Sequence, residues 1–66
     1  MNECVIRNRY GDIVGTMNRE PNYLGNYIFK AQYGNITATV DSTPNYIGDF
    51  AVRDFDGNIL GYKEAG

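Results

Sequence analysis

Nearly the same segment occurs twice in this chain, first as PNYLGN at 21–26 and then as PNYIGD at 44–49. The similarity extends beyond these segments, because residues 4–26 and 27–49 share eight identical residues when they are aligned. Residues 50–66 continue the pattern and stop before the segment would recur. Self-similarity at a fixed period indicates a repeated supersecondary unit. We therefore expect a single domain, residues 1–66, built from three tandem units at 4–26, 27–49 and 50–66.

Each unit reads as two β-strands joined by a turn at a glycine. Val, Ile and Thr occur in short runs between eight glycines and two prolines, a composition typical of strands and tight turns. NRYG at 8–11 has Asn first and Gly fourth, the signature of a type I turn, and DFDG at 54–57 repeats it. We expect these glycines to be left-handed and to form G1 bulges. A two-residue type I′ turn is the alternative, against which the bulky Tyr10 and Tyr33 argue.

Three hairpins in succession predict an all-β fold of six antiparallel strands. The strands can close into a small barrel with pseudo-threefold character, or lie as a curled meander. A stacked hairpin solenoid is less favoured, since it would leave uncapped ends, whereas a closed barrel removes exposed edges. Proline cannot continue a strand ladder, so PNYLGN and PNYIGD are expected to connect the hairpins. We expect Tyr23-Leu24 and Tyr46-Ile47 to fold back over the core.

The expected turn also predicts a register and a core. A G1 hairpin pairs Ile6 with Val14 and Val5 with Gly15. One repeat position is always isoleucine, and a small residue lies two positions further along (Ile13, Ile36 and Ile59; Gly15, Ala38 and Gly61). A branched residue beside a small one suits a tightly packed layer. We therefore predict that the three isoleucines form the core.

Size and composition exclude several classes of function. A chain this short buries only about 60% of its unfolded surface, so its core is thin and self-association by pairing of edge strands is plausible. Cys4 is the single cysteine and there is no histidine, which excludes the usual zinc sites and histidine-based catalytic triads. The acidic residues of DFDGN at 54–58 are explained by turn chemistry rather than by calcium ligation. We expect no metal, no cofactor and no enzymatic activity.

Charge and hydropathy indicate the setting in which the protein acts. Eight acidic and six basic residues give a net charge of −2, which makes nucleic acid an unlikely partner because its backbone favours a basic stripe. No apolar run is long enough to span a bilayer, and the N-terminus lacks the features of a signal peptide. Together with an unpaired cysteine, this predicts a cytoplasmic protein.

Two groups of residues are candidates for binding. Arg7, Lys30 and Arg53 share one repeat position, and in a threefold arrangement they would form a ring of positive charge that holds an acidic partner or an anion. The alternative is a solvated strand face whose charges discourage aggregation.

The second group is drawn from six tyrosines. Tyr10 and Tyr33 lie at the predicted hairpin tips, whereas Tyr23, Tyr46 and Tyr62 lie in connectors or late strands. Exposed tyrosines make good contact surfaces, because they bury a large area with little loss of entropy. They could equally cap a small core.

The second unit, YIFKAQYGNITATV, resembles the hairpin repeats of bacterial choline-binding cell-wall modules, and the spacing of the units matches that of MORN repeats. The chain has no tryptophan for an aromatic cage and lacks the MORN glycine spacing. Neither resemblance therefore transfers a residue role, and no family is assigned.

The function we expect is that of a non-catalytic interaction module that binds another protein through its tyrosine-bearing tips and connectors. An accessory or inhibitor protein of a phage or mobile element would fit this description. Two alternatives stay open. One is a module that binds carbohydrate or a cell-surface polymer by tyrosine stacking. The other is a small barrel that binds single-stranded nucleic acid, with Arg7, Arg9, Lys30 and Arg53 on phosphates, against which the net charge argues.

Overall fold

The computed structural model describes residues 3–64 as six β-strands. The strands are β1 (Glu3–Arg7), β2 (Ile13–Asn18), β3 (Tyr27–Ala31), β4 (Gly34–Val40), β5 (Phe50–Arg53) and β6 (Ile59–Lys63). Each strand pairs antiparallel with the next, and β6 pairs with β1, so the sheet closes into a barrel. The predicted all-β fold is confirmed, in its closed form. Residues 3–64 contain no helix that is long and apolar enough to cross a membrane.

The first and third hairpins have the predicted type I turn with a G1 bulge. Gly11 N donates to Asn8 O at 3.0 Å, and Asn8 N donates to Asp12 O at 2.9 Å. Gly11 has a φ of +90°, which a side chain would disfavour. Residues 54–58 make the same two bonds in the third hairpin. Because every positive φ among the described residues belongs to a glycine, the type I′ alternative is excluded at both turns.

The second hairpin is tighter. Its register continues to the pair Ala31–Gly34, which leaves only Gln32 and Tyr33 at the tip. Ala31 occupies the position where the other two hairpin turns have Asn or Asp. The side-chain acceptor that organises those turns is therefore missing here.

The predicted register is wrong by one residue in the first hairpin. Ile6 pairs with Gly15 rather than with Val14, and Arg7 pairs with Ile13. Val14 is thus an extra residue, and the register shift between Ile6 and Arg7 is a second β-bulge that follows the turn. The third hairpin has an equivalent shift between Val52 and Arg53.

The predicted isoleucine core is wrong, because Ile13 pairs with Arg7 and Ile59 pairs with Arg53, so both isoleucines share the outward face of these cations. Ile13 is 60% exposed, Ile59 is 47% exposed, and Ile36 packs only at the margin of the core. An extra residue reverses which face the following side chains occupy, so residues beyond it point inward instead. The buried cluster comprises Ile6, Met17, Phe29, Ala38 and Val52.

The small residues lie in the tightly packed layer that we predicted for them, but against different partners. A Cβ placed on Gly61 would lie 2.5 Å from Ile6 Cγ2, and one placed on Gly15 would lie 2.9 Å from the Phe29 ring. Ile6, Phe29 and Val52 hold the same position in the three units and are all fully buried or nearly so. This regularity is consistent with the predicted repeat.

The junctions between hairpins follow the same spacing. Each junction pairs a residue late in one hairpin with one of the three candidate cations (Thr16 with Lys30, Thr39 with Arg53, and Tyr62 with Arg7). Successive pairs are offset by one repeat unit on both strands, with the last pair closing the barrel. The three cations therefore occupy equivalent positions on the outer wall.

The connectors contain the same turn as the first and third hairpins. In the first connector, Gly25 N donates to Asn22 O at 2.8 Å and Asn22 N donates to Asn26 O at 2.9 Å. Residues 45–49 of the second connector repeat both bonds. The described chain thus uses one turn structure four times, at residues 8–12, 22–26, 45–49 and 54–58.

Candidate functional site

Each of the four turns is held by the side chain of its first residue. Asn45 Oδ1 accepts hydrogen bonds from Ile47 N at 3.1 Å and from Asp49 N at 2.9 Å. Asn8, Asn22 and Asp54 accept the equivalent pairs of bonds in their own turns. Such Asx bonds let a turn satisfy its own backbone without help from the core. The second and third residues of the turn are left free to face solvent.

The connector side chains are therefore not where we predicted them. Tyr23 is 95% exposed and Tyr46 is 97% exposed, and Leu24 and Ile47 beside them are also exposed. The prediction that these pairs fold back over the core is wrong, because the turn projects both of its central side chains outward. The motif Asn/Asp-x-x-Gly-Asn/Asp would have revealed this. It occurs at all four turns, but the sequence analysis recognised it only in the hairpins.

The tip tyrosines are also exposed. Neither the tip tyrosines nor the connector tyrosines therefore cap the core. Tyr10 and Tyr33 each present most of their surface to solvent. Phe55 is a fifth exposed aromatic residue, 84% exposed at the third hairpin tip, and it was not among the predicted binding residues. Its position in DFDGN was interpreted only as turn chemistry, although the turn motif itself places residue 55 outward.

Two of the three candidate cations are ion-paired. Lys30 Nζ lies 2.6 Å from Glu3 Oε2. Arg53 binds Asp41 through two parallel contacts, from Nε to Oδ1 at 3.1 Å and from Nη2 to Oδ2 at 3.3 Å. A ring of uncompensated positive charge is therefore not present. Glu3 and Asp41 were not singled out from the sequence, because their proximity to the cations depends on how neighbouring hairpins pair.

Arg7 differs from its two equivalents. Its Nη1 donates to Gly11 O at 2.9 Å, which braces the first hairpin turn. The ion pairs formed within residues 3–64 are those of Lys30 and Arg53, so Arg7 has no acidic partner in that part of the chain. Among the three cations it alone keeps an uncompensated charge there.

Arg7 lines a cleft of about 440 Å³, which we call the Arg7 cleft. The end of β1 and the turn after it contribute Arg7 and Arg9, and the second connector contributes Tyr46. Tyr62 on β6 and Glu64, the residue just after β6, also line the cleft. The strong stagger of closure, in which Arg7 pairs with Tyr62 near the end of β6, brings a hairpin turn beside a connector. Two predicted site residues, a cation and a tyrosine, thus meet in one place.

Two further grooves share a single plan. One, of about 560 Å³, lies between Ile13 on β2 and the tip residue Tyr33. The other, of about 310 Å³, lies between Ile59 on β6 and the tip residue Tyr10. We call them the isoleucine grooves, since each places an exposed isoleucine beside the tip tyrosine of the neighbouring hairpin.

These surfaces present aromatic, aliphatic and guanidinium groups, which suit binding. Within the described residues, no three His, Cys, Asp or Glu side chains gather where a metal ion could be held. Comparison of the chain with protein-family models, with curated proteins and with solved structures found no match. The function must therefore be argued from the surface itself.

Proposed function

We propose that the protein is a non-catalytic module that binds another protein through the exposed tyrosines of its tips and connectors. The observation that supports this proposal is the near-complete exposure of Tyr23 and Tyr46 on turns that are fixed by their own hydrogen bonds. Tyrosine has few rotatable bonds and a large amphipathic surface, so a fixed tyrosine loses little entropy when a partner covers it. Such residues are enriched among those that dominate binding energy.

The neighbouring side chains strengthen this argument. Leu24 and Ile47, which follow the connector tyrosines in the sequence, and Phe55 at the third hairpin tip are each more than half exposed. A monomer of this mass, 7.4 kDa, exposes about 4,200 Å² by the usual scaling, whereas this chain exposes 4731 Å². Apolar groups that no part of the chain covers indicate a surface that a partner covers.

The small size of the chain fits an accessory or inhibitory role, of the kind that phages and mobile elements encode in small proteins. The unpaired Cys4 is consistent with the reducing cytoplasm as the place of action.

Self-association through a strand edge stays a prediction. The closed barrel supports it less than an open sheet would, because β1 and β6 pair with each other and leave no free strand edge between them. Sedimentation across a wide concentration range tests it, and a monomer throughout would reject it.

Site-specific photocrosslinking in the source cell tests the main proposal. A photoreactive phenylalanine analogue replaces Tyr33 or Tyr46 in separate variants, and Thr39, exposed on the outer wall of β4, is the control position. We expect the same protein adduct from both tyrosine positions and none from residue 39. In each variant, replacing the other of these two tyrosines with serine should reduce the yield of the adduct. Adducts of equal yield from residue 39, or none from either tyrosine, would reject the proposal.

The isoleucine grooves favour carbohydrate binding as a second candidate. Both grooves combine a flat aromatic ring with an apolar floor and nearby backbone polar groups, a combination on which a sugar ring can stack. A glycan panel and a titration followed by tyrosine fluorescence test this candidate, and no response would remove it.

The nucleic-acid alternative has less support, since Lys30 and Arg53 are already ion-paired. A salt-sensitive shift with single-stranded DNA would revive it.

A further inference from the structure

Arg7 and Arg53 occupy equivalent positions and share one structural contact. In each, Nη1 donates to the carbonyl oxygen of the glycine that ends the turn, at 2.9 Å from Gly11 O and 2.9 Å from Gly57 O. The contact fixes the guanidinium plane relative to the turn. It also leaves the opposite edge of the guanidinium, formed by Nε and Nη2, available for a second partner.

In Arg53 that edge is occupied by a carboxylate. Nε and Nη2 each donate to one oxygen of Asp41. A fork that faces two carboxylate oxygens is the geometry that arginine recognises best. The Arg53–Asp41 pair therefore shows which ligand this arrangement of arginine and turn accommodates.

Arg7 lines the Arg7 cleft, and its Nε and Nη2 take part in neither of the ion pairs found among residues 3–64. Neither Asp49 nor Glu64, the acidic residues that line the cleft, forms an ion pair with Arg7. Around it lie Arg9 and the exposed Tyr46. The cleft thus combines an oriented guanidinium, a second arginine and an aromatic surface.

We infer that the Arg7 cleft binds an aspartate or glutamate side chain of the partner protein, in the way that Arg53 binds Asp41. This inference rests on the proposed function and specifies the chemistry of the partner. The carboxylate pairs with Nε and Nη2 of Arg7, and an apolar side chain next to it in the partner contacts Tyr46. An acidic residue flanked by an aromatic or aliphatic residue is therefore the segment recognised.

Glu64 acts as an internal competitor in this arrangement. Asp41 and Glu64 hold the same position in the second and third units, so Glu64 is the counterpart of the residue that binds Arg53. It lines the same cleft as Arg7. The negative charge of Glu64 therefore repels a partner carboxylate that enters the cleft. Removing this charge should strengthen the binding of the partner.

Nuclear magnetic resonance titration with blocked peptides tests the inference. The probe is acetyl-Gly-Phe-Asp-Glu-Phe-Gly-amide, whose only carboxylates are side chains, and its counterpart has Asn and Gln instead. We expect the acidic peptide to shift the Arg7 side-chain Nε–H resonance and the Tyr46 amide in a saturable way. The amide counterpart should bind up to about fivefold more weakly, the range of one exposed ion pair.

Three variants make the test specific. Arg7→Lys keeps the charge but loses the planar fork, and should weaken binding severalfold. Lys30→Gln is the matched control, because Lys30 holds the equivalent repeat position outside the cleft, and should bind as the wild type does. Glu64→Gln should bind about two- to fivefold more tightly.

Several outcomes would overturn the inference. They are the absence of saturable shifts in both the wild type and Glu64→Gln, equal binding of the two peptides, equal loss in Lys30→Gln, or stronger binding of an octamer of thymidine than of the acidic peptide. If the photocrosslinks at Tyr33 and Tyr46 persist in any of these cases, the inference fails while the proposed function stands.

Discussion

Gly61 supports the closest packing at the closure of the barrel, and replacing it with alanine tests the arrangement of the core. A Cβ at this position would lie 2.5 Å from Ile6 Cγ2 and 3.1 Å from both Arg7 O and Val14 Cγ2. The backbone of Gly61 has no left-handed φ, so alanine can adopt its conformation. Any loss of stability must therefore come from the lack of space.

The size of the effect follows from two opposing contributions. Overpacking a core costs about 1–3 kcal/mol, while replacing a strand glycine by alanine stabilises by about 0.5–1 kcal/mol through the unfolded state. We expect a net loss of about 1–2 kcal/mol in the free energy of unfolding. A chain of 66 residues has a total stability of about 3–10 kcal/mol, so the variant should still fold and give a measurable transition.

Urea unfolding of the wild type, Gly61→Ala, Ile6→Leu and the double variant shows how much of the loss of stability comes from packing against Ile6. Ile6→Leu keeps the volume of the side chain but removes the methyl branch at Cβ, at a cost below about 1.5 kcal/mol. In that background, Gly61→Ala should cost about 1 kcal/mol less than in the wild type. Equal costs in both backgrounds would refute the contact with Ile6. Gly48→Ala is the control. Its φ of +91° and open surroundings predict backbone strain that Ile6→Leu does not change.

Three further predictions concern the turns and the surface. Asn45→Ala removes the acceptor for two backbone N–H groups of the second connector and should cost about 1–2 kcal/mol in urea unfolding; no change would show that the bonds are dispensable. Tyr46→Ser should change stability by less than about 0.5 kcal/mol, since the side chain is almost fully exposed, and a larger loss would place it against the core. Asp41→Asn breaks the partly exposed pair with Arg53 and should cost up to about 1 kcal/mol at low salt and less at high salt; a cost independent of salt would contradict an electrostatic origin.

Local chemistry explains why the turns and the fold class could be predicted from the sequence. The first residue of NRYGD or DFDGN supplies a side-chain acceptor, and the fourth supplies a glycine that tolerates positive φ. Both properties belong to the segment itself, so neither depends on the rest of the chain. Three such hairpins on one chain limit the answer to a small set of antiparallel sheets, of which the closed barrel is observed.

The register and the core could not be predicted in the same way. The bulge at Val14 decides which side chains point inward, and the sequence marks it only by the adjacent Gly15, which close packing against Phe29 also explains. The glycine that follows the bulge packs against a core side chain of another strand, as Gly61 does against Ile6 and Gly15 against Phe29. Contacts between the two ends of a chain are not visible in local patterns. The burial of Met17 beside an exposed Ile13 is the consequence.

In the candidate site too, features set by local sequence could be predicted, whereas features set by contacts between distant strands could not. The exposure of Tyr10, Tyr23 and Tyr46 follows from a turn motif that is local, so it could be predicted from the sequence. That Arg7 would differ from Arg53 could not be predicted, since both share a repeat position and only the closed barrel shows which acidic residues come near. The ring of charge expected from the repeat is therefore replaced by one cation that lines a cleft.

The four turns show how a core this small can be combined with exposed aromatic side chains, which we propose to be the binding surface. Within each turn, the framework Asn/Asp-x-x-Gly-Asn/Asp carries the hydrogen bonds, while the two central positions hold Arg-Tyr, Tyr-Leu, Tyr-Ile and Phe-Asp. Because the central side chains contribute little to folding, they can differ among turns without loss of stability, whereas the framework cannot. Exchanging the central pair at 46–47 for that at 9–10 should therefore leave the unfolding transition unchanged and alter binding. If the exchange instead destabilised the protein as much as Asn45→Ala does, the separation of folding from recognition would be wrong, and the exposed pairs would have to be regarded as part of the fold.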